Sequence, residues 1–124
     1  MSQTFILLGT IFAFLGVLIG AFGAHALNAT LVANGRLDTF ETGVRYQMYH
    51  ALAILIVAAA IGQLGSVRLL NAAGWSFTVG ILLFSGSLYA LSLSEIRVLG
   101  AVTPIGGLLF LLGWICLAVF ALLR

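Results

Sequence analysis

The chain has 124 residues, of which 63% are hydrophobic and only 6% charged, with a mean hydropathy of +1.26. A water-soluble domain carries about 25% charged residues and keeps much of its surface wet after folding, so lipid is the solvent that suits this chain. The net charge of +2 comes from five arginines scattered singly (Arg36, Arg45, Arg68, Arg97, Arg124); without a basic run there is no support for nucleic-acid binding, and the single Cys116 closes no intrachain disulfide.

A spanning helix needs about 20 mostly apolar residues, and four segments qualify, all expected to fold as one domain covering residues 1–124. The first runs from Thr4 to Leu27. It ends in Ala24-His25-Ala26, which mimics a signal-peptidase site, but no basic residue precedes it and its apolar run exceeds an ordinary h-region, so a retained helix is expected. Gly16, Gly20 and Ala24 recur every four residues, with Gly9 on nearly the same face, a row that lets helix backbones approach closely in lipid. The expected use of such rows is packing within this chain; contacts with a second copy or a membrane-protein partner are the alternative. Asn28 to Leu37 reads as a connection with turn chemistry.

The second segment, Asp38 to Leu64, has a polar first half. Asp38 with Glu41 three residues on resembles a capping box. At 100° per residue Asp38, Thr42, Arg45 and Tyr49 form one stripe, flanked by Glu41, and Thr39, Gly43, Tyr46 and His50 form the next, with Gln47 at its edge. Phe40, Val44, Met48, Ala51 and Leu55 make a narrower apolar face that lipid could cover, so the polar arc is expected to face the bundle, a cavity or the membrane surface. Glu41 and Arg45 have the favourable i, i+4 order for an ion pair. Ionisable groups at membrane depth are by default a site hypothesis; the bland alternative is a half-solvated helix start.

Gly65 to Leu69 forms the next turn. The third segment, Leu70 to Leu93, carries Trp75 as an interfacial anchor and repeats the small-residue row in Ser76 and Gly80. Its serines, Ser85, Ser87, Ser92 and Ser94, suit back-bonding to helix carbonyls. Ser94 to Thr103 is a connection in which Glu95 and Arg97 read as solvated. The fourth segment, Pro104 to Leu123, opens with Thr103 as N-cap and proline at the first helical position. Short connections make neighbouring helices antiparallel, and lipid admits no open strands. The expected fold is therefore all-α, an integral membrane bundle of four transmembrane helices.

The segments Gly20–Leu27, Thr39–Leu52, Leu83–Tyr89 and Gly100–Gly107 together resemble the YgdD/YwdK-type family of small bacterial inner-membrane proteins of unknown function. The resemblance spans nearly the whole chain. It implies a four-helix protein of the bacterial inner membrane and supplies no activity, substrate or cofactor; its motifs include His25, Glu41, Arg45, Tyr46, Gln47, Tyr49, His50, Ser85 and Tyr89.

The leading functional expectation is a non-enzymatic protein that binds a membrane lipid or small amphiphile, or supports a membrane complex, through His25, Glu41, Arg45, Tyr46, Gln47, Tyr49 and His50. Arg45 would hold an anionic head group, Glu41 would orient Arg45, and the tyrosines with His25 would complete the rim. Two alternatives stand beside it. One is a small-solute or proton-coupled transporter, weakened by the absence of any acid in the first segment. The other is a haem or metal protein ligated by His25 and His50, which lack any HExxH or CxxCH motif. No cofactor and no catalytic constellation is expected. The arginines split too evenly to fix orientation; the three acids on the loops opposite the termini lean the termini toward the cytoplasm.

Overall fold

The computed structural model describes residues 1–124. Four helices are long and apolar enough to cross a bilayer: α1 (Ser2–Ala24), α3 (Leu37–Leu64), α4 (Arg68–Ser94) and α5 (Thr103–Leu123), with a short helix α2 (Asn28–Ala33) after α1 and a 3₁₀ turn (Arg97–Ala101) before α5. They pack in series, α1 on α3, α3 on α4 and α4 on α5, each pair antiparallel. One end of the bundle carries both termini and the α3–α4 turn; the other carries α2 and the 3₁₀ turn.

Aromatic rings seated on glycines lock these helices together. The rings of Phe40, Tyr89, Phe5, Phe110 and Phe77 cover Gly23, Gly43, Gly74, Gly80 and Gly113, and the α4 backbone at Phe84 lies on Gly106, each so closely that a Cβ on the glycine would lie under 3.0 Å from its partner. Lipid tails are as apolar as the side chains, so no hydrophobic drive holds helices together there, and this close packing supplies the association. The densest packing lies toward the terminal end, where Phe5, Ile54, Val57, Leu70 and Phe77 are fully buried.

The apolar stripe of α3 is covered by protein and not by lipid. Leu55 lies against Gly9, Met48 against Gly16, Val44 against Gly20 and Phe40 against Gly23, so the glycine row of α1 is the groove into which that stripe packs. The polar arc of α3 is consequently divided between α4, α5 and the outside.

Several local expectations are corrected. Asn28–Ala33 is helical, with its Leu31 fully buried; six residues are too few for a helical period to show in the sequence. The N-cap of α3 is Arg36 and has no side-chain cap bond, so Asp38 and Glu41 form no capping box. Thr103 lies within α5 and caps nothing. Its Oγ1 is 2.6 Å from Ser87 Oγ on α4, a hydroxyl pair joining the two helices. Glu95 is held by Arg36 across 3.3 Å, and Asn34 Nδ2 donates to the Ser92 carbonyl at 3.1 Å. Together these contacts tie α2 to the end of α4.

Glu95 also ends α4 in the left-handed region, at φ 61, a conformation costing a non-glycine residue about 1–2 kcal/mol. An exposed ion pair returns about 0–1 kcal/mol. Glu95→Gly is therefore expected to raise stability by about 1 kcal/mol or less, whereas Glu95→Gln lowers it slightly. Thermal unfolding in mild detergent, followed by circular dichroism, checks both signs; a glycine variant less stable than Glu95→Gln would show that the ion pair dominates.

Candidate functional site

The length of α3 sets the depth of its charges. Twenty-eight residues make a helix about 42 Å long, against about 30 Å of hydrocarbon. From Tyr46 to Leu64 the helix has no charged residue, a run of about 28 Å. The preceding two turns, with Asp38, Glu41 and Arg45, thus stand at head-group level.

There a groove of about 230 Å³ opens between α1 and α3, lined by Gly20, Ala24, Phe40, Glu41, Val44 and Arg45. The small residues of α1 that admit the α3 side chains also leave this space above Val44. Arg45 and Glu41 are both exposed. They do not pair with each other: the ion pair of the molecule is Arg36–Glu95, and the Arg45 guanidinium donates instead to Thr42 Oγ1 at 3.1 Å. Glu41 therefore does not orient Arg45, and the groove presents a free cation and a free anion one helical turn apart.

The other candidates diverge from this groove. His25 caps α1 at its exposed end and is the one polar residue lining a separate depression with Leu18, Phe22 and Ala26. Tyr46 and Tyr49 are partly exposed, at 39% and 55%, and lie against one another with ring centroids 5.8 Å apart. Tyr46 continues into an aromatic cluster, 4.8 Å from Phe84 and 6.3 Å from Phe110.

His50 is buried within that cluster, stacked on Phe110 with centroids 3.6 Å apart. The Trp114 indole N–H, which can only donate, gives a hydrogen bond to His50 Nε2 at 3.1 Å. The proton of the neutral ring therefore sits on Nδ1, which lies 2.8 Å from the Tyr46 carbonyl and donates to it. Both ring nitrogens are engaged, and neither is free to ligate a metal while Trp114 holds its position. His25 and His50 are not brought together, and no cluster of three or more potential ligands forms anywhere in the molecule.

Gln47 is buried and faces inward. Its Nε2 donates to the Phe12 carbonyl of α1 at 2.8 Å, and its Oε1 accepts from the Tyr89 hydroxyl of α4 at 2.6 Å. One turn along α4, Ser85 Oγ donates to the Gly43 carbonyl at 2.6 Å. This polar seam joins α1, α3 and α4, and no buried side-chain polar atom in the protein lacks a partner. The sequence reading left Tyr89, Phe12 and Trp114 without a role. The four-residue spacing of Ser85 and Tyr89 put two hydroxyls on one helical face and was the available signal; a backbone carbonyl of α1 offers none.

No solved structure matches the chain. Residues 19–107 match a family model described as a protein of unknown function, DUF423. The UPF0382 membrane protein YwdK of Bacillus subtilis is 46% identical over 119 residues, covering 96% of each chain. The UPF0382 membrane protein SAB0533 of Staphylococcus aureus is 48% identical over 117 residues, 94% of this chain and 93% of its own. That of Staphylococcus haemolyticus is 46% identical over 117 residues, with the same coverage. With four apolar spanning helices and this likeness over nearly its full length, the chain is a membrane protein of the DUF423 family, akin to the UPF0382 membrane proteins.

Proposed function

We propose that the protein binds the head group of a membrane lipid or similar amphiphile in the groove between α1 and α3, without catalysing a reaction on it. The observation that carries this reading is the unpaired state of Arg45 and Glu41 on the wall of one groove at head-group level. An i, i+4 acid–base pair on a bare helix would gain a few tenths of a kcal/mol by closing. Left apart, the guanidinium suits a phosphate, to which arginine binds in bidentate fashion. Glu41 suits an ammonium. A zwitterionic phosphoethanolamine head satisfies both at once, while its chains lie along the apolar outer surface of α1.

Native mass spectrometry of protein exchanged into nanodiscs of mixed phosphatidylethanolamine, phosphatidylglycerol and phosphatidylcholine tests it. Retained phosphatidylethanolamine is expected in the wild type. Arg45→Ala is expected to lower retention of every phospholipid about tenfold, the worth of a charge-assisted hydrogen bond. Glu41→Gln is expected to erase the preference for the primary ammonium while leaving phosphate binding in place. If Arg45→Ala left both lipid retention and thermal stability unchanged, the assignment would fail.

The same reading takes the membrane as the bacterial inner membrane, with both termini in the cytoplasm. In support, all three acids lie at the end opposite the termini and none lies beside Arg68 and Arg124; the arginines, two at the terminal end against three at the other, do not decide the orientation. A reporter fused after Arg124 reads it directly.

A further inference from the structure

We infer a second, uncharged ligand site: a cleft between α1 and α4 that takes the head and first chain segment of a long-chain alcohol or carbonyl amphiphile. α1 and α4 run parallel and touch near the terminal end, where Phe5 seats on Gly74 and meets Trp75 with centroids 5.4 Å apart. Toward the loop end they separate. The opening, about 170 Å³, is walled by Leu15, Ile19, Leu82 and Gly86, with Gln47 and Tyr89 behind them. One water needs only about 10–15 Å³, so the space exceeds what a single bridging water fills.

Two features distinguish this cleft from ordinary lipid-facing surface. First, Gly86 is exposed, and a Cβ built on it meets nothing within 4 Å; most other glycines of α4 and α5 receive an aromatic ring or a helix backbone, so this one leaves a gap that no neighbouring side chain fills. Second, polar groups lie at its back. Gln47 accepts from Tyr89 and donates to the Phe12 carbonyl, yet the amide retains a second N–H and the phenol oxygen retains accepting capacity. Hydrocarbon offers these atoms no partner. The walls carry no charge, so an ionised head would be left uncompensated, whereas a hydroxyl or carbonyl would complete the seam. Gln47 lies two residues below Arg45 on α3, which sets such a head just beneath the head-group layer with its chain pointing toward the bilayer centre. The site shares no residue with the Arg45 groove and does not depend on it.

The test compares two photoactivatable probes in phosphatidylcholine nanodiscs holding the full chain: 1-hexadecanol bearing a chain diazirine, and the corresponding alkane without the hydroxyl. Peptide mapping after illumination is expected to find the alcohol enriched about fivefold or more over the alkane at α1 residues 12–19 and α4 residues 81–89, the factor supported by one net hydrogen bond. Gly86→Leu, which fills the gap from an open helical position, is expected to abolish that excess while retaining the thermal stability of the wild type. Should Gly86→Leu misfold, Leu82→Trp, starting from a residue already 58% exposed, plugs the same opening. Equal labelling by the two probes would overturn the inference, leaving water as the partner of the seam. So would an excess that survives both plugging variants, or one centred on the outward Phe14 and Phe22. Because the probe is uncharged, loss of lipid retention in Arg45→Ala has no bearing on this outcome.

Discussion

Gly106→Ala is expected to destabilise the bundle by about 3 kcal/mol, one of the largest losses from any single methyl group in this protein. A Cβ at Gly106 would stand 2.8 Å from both Cα and Cβ of Phe84, so the obstruction is helix backbone and no rotamer change relieves it. At the same crossing a Cβ on Gly80 would be 3.2 Å from the Gly106 carbonyl. α4 and α5 must move apart, which also unseats Phe84 and Phe110 and strains the Ser87–Thr103 hydroxyl pair. Alanine gains about 1 kcal/mol of helix propensity over glycine, too little to offset this.

The neighbouring glycine supplies the control. A Cβ at Gly107 meets only the Phe84 ring edge, at 3.8 Å, an ordinary contact. Gly107→Ala is expected to be neutral or stabilising by up to about 1 kcal/mol. Equilibrium unfolding in mixed dodecyl maltoside and sodium dodecyl sulfate separates the two. Equal stabilities would mean that the α4–α5 crossing is loose and that glycine is dispensable there.

The span count was legible because a run of about 20 apolar residues has few other meanings, and the small-residue row of α1 was legible as a packing surface. Which surface packed into it was not. Phe40, Val44, Met48 and Leu55 look the same to hydropathy whether covered by lipid or by glycines, since both environments are apolar. The resulting rotation of α3 decided the fate of the polar arc: Glu41 and Arg45 fell on the open groove, Gln47 on the α1–α4 side, and Tyr46 with His50 on the α5 side. A helical wheel of one segment shows that these residues are near one another in angle. It does not show that three different neighbours divide them, because Phe12, Tyr89 and Trp114 are supplied from 35, 42 and 64 residues away. The groove charges were foreseen as a pair for the same reason: i, i+4 spacing gives proximity, whereas depth in the membrane and the Thr42 hydroxyl decide the rotamer.

The polar seam gives the second large effect. Gln47→Leu fills about the same volume but removes the acceptor of the Tyr89 hydroxyl and the donor to Phe12 O. Phe12 O loses little, as it keeps its place as a helix carbonyl. The Tyr89 ring packs against Gly43 and Phe40, and its hydroxyl loses its partner in a setting without bulk water, where an orphaned donor costs about 1–3 kcal/mol. Gln47→Leu is expected to destabilise by about 2 kcal/mol on that ground. Tyr89→Phe alone should cost less, because the amide oxygen it abandons is a weaker liability than an idle O–H. In the double variant the orphan disappears, so the losses should not add: a coupling of about 0.6–1.7 kcal/mol is expected, the range seen for hydrogen bonds between membrane helices. The cycle is measured in the same mixed-detergent unfolding assay. Strict additivity would show that Gln47 acts through packing alone. A large coupling would establish the hydrogen bond as the element that fixes α3 in register between α1 and α4, and hence as the feature that keeps Arg45 and Glu41 turned toward the groove.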